Sequence, residues 1–159
     1  MKSLKRVYCK KEFKYYTFLK QILLDLDLVD KDYLWLISDI EAYPRKREYQ
    51  QLLTNNIYLL LNTKELLDML EDDDFQWIWA VFSAIPSSYQ KEEILKLDLP
   101  YVENLEKGKY NPHIDEPKLQ HPYAEFELYA VDSSYMFIIS DNEELISKFK
   151  KSYPKYIEE

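Results

Sequence analysis

Glycine and cysteine are almost absent from this chain of 159 residues. The only glycine is Gly108, which excludes sites that need several glycines, such as a phosphate-binding loop, a dinucleotide-binding fingerprint or a nucleophile elbow. The only cysteine is Cys9, which excludes an intrachain disulfide and a zinc site built from cysteines. We expect Cys9 to be a small buried apolar side chain, with a reactive thiol as the alternative. A single thiol also suits a reducing compartment.

Long apolar runs are missing as well. No stretch of the sequence approaches the roughly 20 apolar residues that a membrane-spanning helix requires. Lys2, Lys5 and Arg6 interrupt the residues that follow Met1, so no secretory leader is expected. The sequence therefore predicts a cytoplasmic protein that does not interact with membranes.

Negative charge dominates the chain, and it is unevenly distributed. The formal net charge is −8. Residues 1–50 carry 11 basic and 8 acidic side chains (net +3), whereas residues 51–159 carry 10 basic and 21 acidic ones (net −11). The acidic part would repel phosphate backbones, so nucleic-acid binding is disfavoured. A cationic protein would be attracted instead, although simple solubility also explains such a charge.

Aromatic residues are abundant, with 15 tyrosines, and two of the three tryptophans lie in residues 75–85. This segment is almost wholly apolar or small, and it lies between an aspartate triplet and Pro86. A short run of this kind predicts a strand buried on both faces. Strict alternation would place Phe75, Trp77, Trp79, Val81 and Ser83 on one face and Gln76, Ile78, Ala80, Phe82 and Ala84 on the other.

The remaining pattern predicts a single α+β domain over residues 1–159, with a mostly antiparallel sheet and helices packed on it. Apolar spacing predicts helices at 12–26, 47–53, 63–71, 92–97 and 143–153. Asn62 and the Ser140–Glu143 segment are expected to form capping boxes. Alternation predicts strands at 33–40, 57–61, 123–131 and 135–139, with a first edge strand at 3–9. Residues 98–122, which hold four of the seven prolines, are expected to be irregular.

Candidate catalytic groups are few. His113 and His121 both lie in the irregular segment, and they could join Asp115 and Glu116 in a metal site, but their spacing matches no strong motif. We therefore expect ordinary loop histidines, no metal and no cofactor. Ser133 and Ser134 are expected to be turn residues.

Carboxylate pairs are a further candidate, because a glycosidase needs two carboxylates at a defined separation. Glu125 and Glu127 fall on one face of a predicted strand together with Tyr129, opposite Phe126 and Leu128. We expect both glutamates to lie on a solvated outer face.

Acidic residues also cluster where a helix should end. Asp72, Asp73 and Asp74 follow Glu71 at the predicted C-terminus of a helix, where negative charge opposes the helix dipole. Such a departure from local rules is more frequent at functional sites, although acidic runs of this kind are more often charged loops than docking surfaces. We expect Asp72, Asp73 and Asp74, together with Glu92 and Glu93, to contact a partner.

Two stretches carry a resemblance to a known group of proteins. Residues 75–86 (FQWIWAVFSAIP) and 120–128 (QHPYAEFEL), the latter running into Val131-Asp132-Ser133-Ser134, resemble small bacterial proteins found beside polymorphic or contact-dependent toxins. Those proteins serve as immunity proteins. The resemblance covers residues 33–153, and it implies a non-enzymatic protein that binds and occludes a cognate toxin domain. The negative charge of residues 51–159 predicts that this domain is cationic, and a nuclease domain would fit that charge. Because immunity proteins have many unrelated folds, the resemblance implies no particular binding residue. The alternatives are a hydrolase that uses carboxylates or a metal, and a binding module for another ligand.

Overall fold

An antiparallel sheet forms the centre of the computed structural model, which describes residues 3–10, 17–154 and 156–159. Within these residues, seven strands are present: β1 Lys5–Lys10, β2 Tyr33–Ala42, β3 Tyr58–Asn62, β4 Trp77–Pro86, β5 Phe126–Val131, β6 Tyr135–Ser140 and β7 Tyr156–Glu158. Their order across the sheet is β3-β2-β4-β5-β6-β1-β7. β4 is therefore an interior strand, flanked by β2 and β5.

Five helices accompany the sheet in the described residues: α1 Leu19–Asp25, α2 Arg47–Asn55, α3 Thr63–Asp72, α4 Lys91–Leu95 and α5 Glu143–Ser152. The predicted α+β class is confirmed. None of the helices in these residues is long and apolar enough to span a membrane.

Both faces of the sheet are covered. On one face, residues of α1, α3 and α5 pack with Trp35, Trp77 and Phe82 in the main core. On the other face, two smaller clusters pack beneath α4 and the segment 98–124, with Ile94 and Val102 fully buried. Residues 98–122 contain neither helix nor strand, yet they act as one layer of the domain.

The central strand is buried on both faces, as predicted, but its alternation is interrupted. Trp77 and Ala80 belong to the same core as Phe82, whereas Trp79 and Val81 belong to the opposite face. The strict alternation predicted for Trp77 and Trp79 is therefore wrong. The cause is an irregular register with β2. The adjacent residues Glu41 and Ala42 of β2 pair with Trp79 and Trp77, which are two positions apart on β4, so Ile78 is an extra residue. An extra residue in one strand of a pair shifts the faces of the residues beyond it.

The first helix and the first strand differ from their predictions. α1 begins at Leu19 rather than at residue 12, because Thr17 has a φ of 58° and Phe18 forms a bridge with Gln76. Residues 12–16 of that predicted helix lie outside the described residues. β1 is not an edge strand, since it pairs with β6 on one side and with β7 on the other. The short strand β7 was not predicted.

The two predicted capping boxes have different outcomes. At the start of α3, Glu65 N–H donates to Asn62 Oδ1 at 2.8 Å and Asn62 N–H donates to Glu65 Oε1 at 3.0 Å, which confirms the first box. The second box is wrong, because Asn142 is the N-cap of α5 and accepts from Leu145 N–H. Ser140 instead accepts a hydrogen bond from Asn142 N–H at 3.0 Å.

Candidate protein-binding site

A groove of about 520 Å³ opens where β2 extends beyond its neighbour β3. The last pair between the two strands joins Ser38 to Tyr58, so no strand among the described residues pairs with residues 39–42 of β2 on that side. The C-terminal end of α2 and the loop that follows it form the opposite wall. The groove is lined by Asp39, Ile40, Glu41, Ala42, Tyr43, Leu53, Thr54, Asn56 and Ile57.

Two large apolar side chains stand at this groove and are freely accessible. Tyr43 is 71% exposed and Ile57 is 78% exposed. The hydroxyl of Tyr43 donates to Glu41 Oε1 at 3.2 Å, and this bond raises the pKa of Tyr43. Exposed aromatic and aliphatic side chains beside a concave surface are typical of protein-binding sites.

The groove is negatively charged. Asp39 and Glu41 are the only charged side chains among the described residues that line it, and both are acidic. Asp39 lies in the irregular part of β2 with a φ of 51°, and its Oδ2 accepts a hydrogen bond of 2.7 Å from Val102 N–H. A lysine or arginine side chain from a partner would therefore meet two acidic residues and no cation among the described residues that line the groove.

The aspartate triplet (residues 72–74) is largely engaged by the basic residues Arg45 and Lys46, which directly precede α2. Asp72 forms an ion pair with Lys46 and accepts from the Tyr49 hydroxyl at 2.9 Å, and these hydrogen bonds lower the pKa of Asp72. Asp73 is only 4% exposed. Its Oδ2 accepts from Lys46 N–H at 2.8 Å, and its Oδ1 lies 3.6 Å from Arg45 Nε.

Asp74 completes the triplet in a half-buried position. Burial raises the pKa of Asp74, and its Oδ1 has no hydrogen-bond partner among the described residues. The triplet therefore holds the entry of α2 against the end of α3. The sequence identified the unusual accumulation of charge but not the cations that balance it, because those residues precede it by about 27 positions.

Glu92 and Glu93 lie far from the triplet. They belong to α4, which follows β4, whereas the triplet precedes β4. A ten-residue strand spans about 33 Å, so the five predicted partner-binding residues do not form one surface patch. Glu93 also accepts a hydrogen bond of 3.0 Å from Gln90 N–H at the start of α4.

Ring nitrogens of both histidines lie within hydrogen-bond distance of other groups of the chain. His121 is buried, with Nε2 3.0 Å from the Ile94 carbonyl oxygen and Nδ1 accepting from Tyr123 N–H at 3.2 Å. His113 Nδ1 lies 3.2 Å from the Tyr135 hydroxyl, and burial lowers the pKa of His113. In the described part of the chain, no group of three or more potential ligands is placed to hold a metal ion.

Glu127 corrects the expectation of a solvated outer face. Its side chain is completely buried, as is that of Tyr129, because the segment 98–124 covers this face of β5. Tyr129 donates to Glu127 Oε1 at 3.1 Å and Gln120 N–H donates to the same oxygen at 2.7 Å. Glu125 is exposed, as expected. The two glutamates therefore do not form an accessible catalytic pair.

Sequence reasoning did not identify the groove. Its wall residues come from β2 and from the α2–β3 connection, and only the difference in strand length leaves space between them. The one available signal was an acidic and aromatic strand end, Asp39-Ile40-Glu41-Ala42-Tyr43. No family model, curated protein or solved structure matches the chain. The chemistry of this surface is therefore the basis for assigning a function.

Proposed function

We propose that this protein is a toxin-neutralising immunity protein that acts in the cytoplasm by binding and occluding a cationic domain of its cognate toxin. The main supporting observation is the groove at the end of β2. It combines Asp39 and Glu41 with two exposed apolar side chains, Tyr43 and Ile57, and its described lining residues include no cation.

The proposed contact has a charged centre and an apolar rim. A lysine or arginine of the toxin enters the groove and pairs with Asp39 and Glu41, while Tyr43 and Ile57 pack against the surrounding surface. Aromatic anchors beside desolvated charge pairs usually dominate binding energy. If the toxin is a nuclease, the carboxylates take the place of the nucleic-acid phosphates at its basic active site. Neutralisation then requires binding alone, without turnover of a substrate.

Long-range electrostatics would favour the same encounter. The net charge of −8 attracts a cationic domain before contact and raises the association rate. Because salt screens this attraction beyond about 10 Å, we expect the association rate to fall as the salt concentration increases.

The decisive experiment is co-expression with the toxin encoded by the neighbouring gene, scored for rescue of growth. The purified pair is then compared by binding kinetics for the wild type, E41Q, D39N and Y43A. D39N keeps an oxygen that can accept from Val102 N–H, and asparagine tolerates a positive φ. We expect each variant to weaken binding, with the Y43A effect mainly in the dissociation rate.

E144Q is the matched control, because Glu144 on α5 is an exposed carboxylate that does not line the groove. An equal loss of affinity for E41Q and E144Q would contradict a specific role for the groove. Absence of rescue and of binding would contradict the proposed function. So would unaided turnover of a substrate by the purified protein, as the hydrolase alternative requires.

A further inference from the structure

The two edges of the sheet differ in how they are protected. β7, at one edge, has only three residues, and Glu158 within it forms ion pairs with Lys5 and Lys150. Short strands with charged side chains are the usual protection of a sheet edge against pairing with another chain. β3, at the other edge, carries none of these protections.

β3 has the composition of an interior strand. Its residues are Tyr58-Leu59-Leu60-Leu61-Asn62, without a charge, a proline or a bulge, and its register with β2 is continuous. No side chain in residues 49–63 is charged, although charged residues make up 31% of the chain. The only other uncharged stretch of similar length is residues 75–90, which contains the buried strand β4.

The outer backbone edge of β3 is available for pairing at Tyr58 and Leu60. In an antiparallel sheet, alternate residues of an edge strand direct their N–H and C=O groups away from the neighbouring strand. Among the described residues, β3 pairs only with β2. At its C-terminal end, Asn62 is also the N-cap of α3: its N–H donates to Glu65, and its C=O accepts the first hydrogen bond of the helix. Leu60 and Leu61 are only partly buried at this edge.

We infer that β3 is a homodimer interface, in which the edge strands of two copies of this chain pair in antiparallel fashion and join their sheets. A twofold register centred on Leu60 places Leu59 opposite Leu61 and Tyr58 opposite Asn62. Leu59 and Leu61 face the main core, whereas Tyr58 and Leu60 face the opposite side. Each leucine of β3 therefore meets a leucine of the second copy on its own face of the extended sheet.

Charge favours a second copy over a cationic partner at this edge. Two chains of net charge −8 repel each other wherever their acidic surfaces meet, so self-association requires a neutral contact surface. β3 provides such a surface, because none of its side chains is charged. An uncharged edge offers a cationic partner no electrostatic attraction, and such a partner is attracted instead to the carboxylates outside β3.

The test is the mass of the purified full chain in solution, measured by sedimentation and light scattering over a range of concentrations. We expect a species of twice the 19.3 kDa chain mass. Because salt screens the repulsion between like-charged chains, we expect dimerisation to be unchanged or strengthened at high salt, opposite to toxin binding.

L60K is the main variant, because a lysine on β3 places like charges opposite each other at the twofold axis. We expect it to raise the dimer dissociation constant by at least about tenfold, while circular dichroism shows that the fold is retained. Y58K, at a partly buried residue of the same strand, gives the same readout if L60K does not fold. I157K is the matched control on β7, and we expect it to remain dimeric.

Two results would overturn the inference. One is a wild type that is monomeric at every concentration. If L60K then also lost toxin binding, the β3 edge would pair with the toxin and not with a second copy. The other is a dimer that is disrupted by I157K and not by L60K, because the interface would then lie at β7. Both results are read from the mass in solution, whether or not the chain neutralises a toxin.

Discussion

The carboxylate of Glu127 on β5 accepts a hydrogen bond of 2.7 Å from the Oγ of Ser83 on β4, and neither side chain is accessible to solvent. The same carboxylate also accepts from two backbone N–H groups, those of Gln120 at 2.7 Å and His121 at 3.2 Å. These two bonds end on different oxygens, Oε1 and Oε2. Glu127 therefore attaches the irregular segment to the sheet that it covers.

The first prediction is that E127Q destabilises the fold. An amide has one oxygen, whereas Glu127 presents an oxygen to each backbone N–H, so in either orientation the new NH₂ faces one of these donors. Leaving a buried donor unpaired costs about 1–3 kcal/mol, which we expect as the loss in the free energy of unfolding measured by urea denaturation. E125Q is the matched control, because Glu125 is exposed and an amide oxygen can still accept from the Tyr33 hydroxyl. Equal stabilities of E127Q and E125Q would contradict the assigned role.

The interior position of Glu127 could not be predicted from alternation alone. The two-residue alternation of side chains along β5 correctly placed Glu127 on the face opposite Phe126 and Leu128. It does not reveal whether that second face of the strand is exposed to solvent. Here that face is covered by a segment without periodicity. Its packing depends on contacts such as Ser38 Oγ donating to the Pro100 carbonyl oxygen at 2.7 Å, which join residues far apart in sequence. The central strand, in contrast, was predictable because it is apolar on both faces.

The second prediction concerns pH. Burial raises the pKa of Glu127 above its unfolded value of about 4.5, so the folded protein binds this proton more tightly than the unfolded chain does. The stability that Glu127 contributes is fully present below pH 4.5 and is lost as the pH rises through the raised pKa. The glutamine of E127Q does not titrate, so residue 127 contributes no pH dependence to the stability of that variant. We therefore expect the stability difference between the wild type and E127Q to narrow as the pH increases above 4.5.

Denaturation of both proteins at a series of pH values measures this difference. The hydrogen bonds from Ser83, Gln120, His121 and Tyr129 oppose the effect of burial, because they stabilise the ionised form. A difference that widens with pH would show that these bonds outweigh burial and that the folded pKa is lowered.

The third prediction separates two neighbouring aspartates. D73A removes the acceptor of Lys46 N–H at the start of α2, and Asp73 is buried, so we expect a loss of about 1–3 kcal/mol in the free energy of unfolding. D72A removes an exposed ion pair and should change stability much less. Thermal denaturation of both variants provides the comparison. Equal effects would contradict the structural role of Asp73.

This pair also shows how far the candidate site could be predicted. The opposition of Asp72 and Asp73 to the dipole of α3 is a local property, and the sequence shows it directly. The compensation by Arg45 and Lys46 is a tertiary contact across two helices, which no local pattern specifies. For the same reason the groove was missed, since it arises from the unequal ends of two paired strands.

The fourth prediction uses Cys9, the only thiol of the chain, as a probe of opening. Its side chain is 4% exposed in β1, and burial raises the pKa of Cys9 to about 12. Only the thiolate is alkylated, and at pH 8 about one folded molecule in ten thousand would carry it, against roughly a quarter of unfolded molecules with an ordinary pKa of about 8.5. We therefore expect iodoacetamide to label the native protein very slowly and the urea-unfolded protein rapidly, as followed by mass spectrometry.

The labelling rate should also report stability. If Cys9 reacts only through unfolding, the rate follows the population of the open form, and each loss of about 1.4 kcal/mol raises it about tenfold. E127Q should consequently label faster than the wild type by the factor that its urea denaturation gives, whereas E125Q should not. Rapid labelling of the native wild type would instead show an accessible reactive thiol. If E127Q is destabilised but labels at the same rate as the wild type, β1 opens locally, without release of the segment held by Glu127.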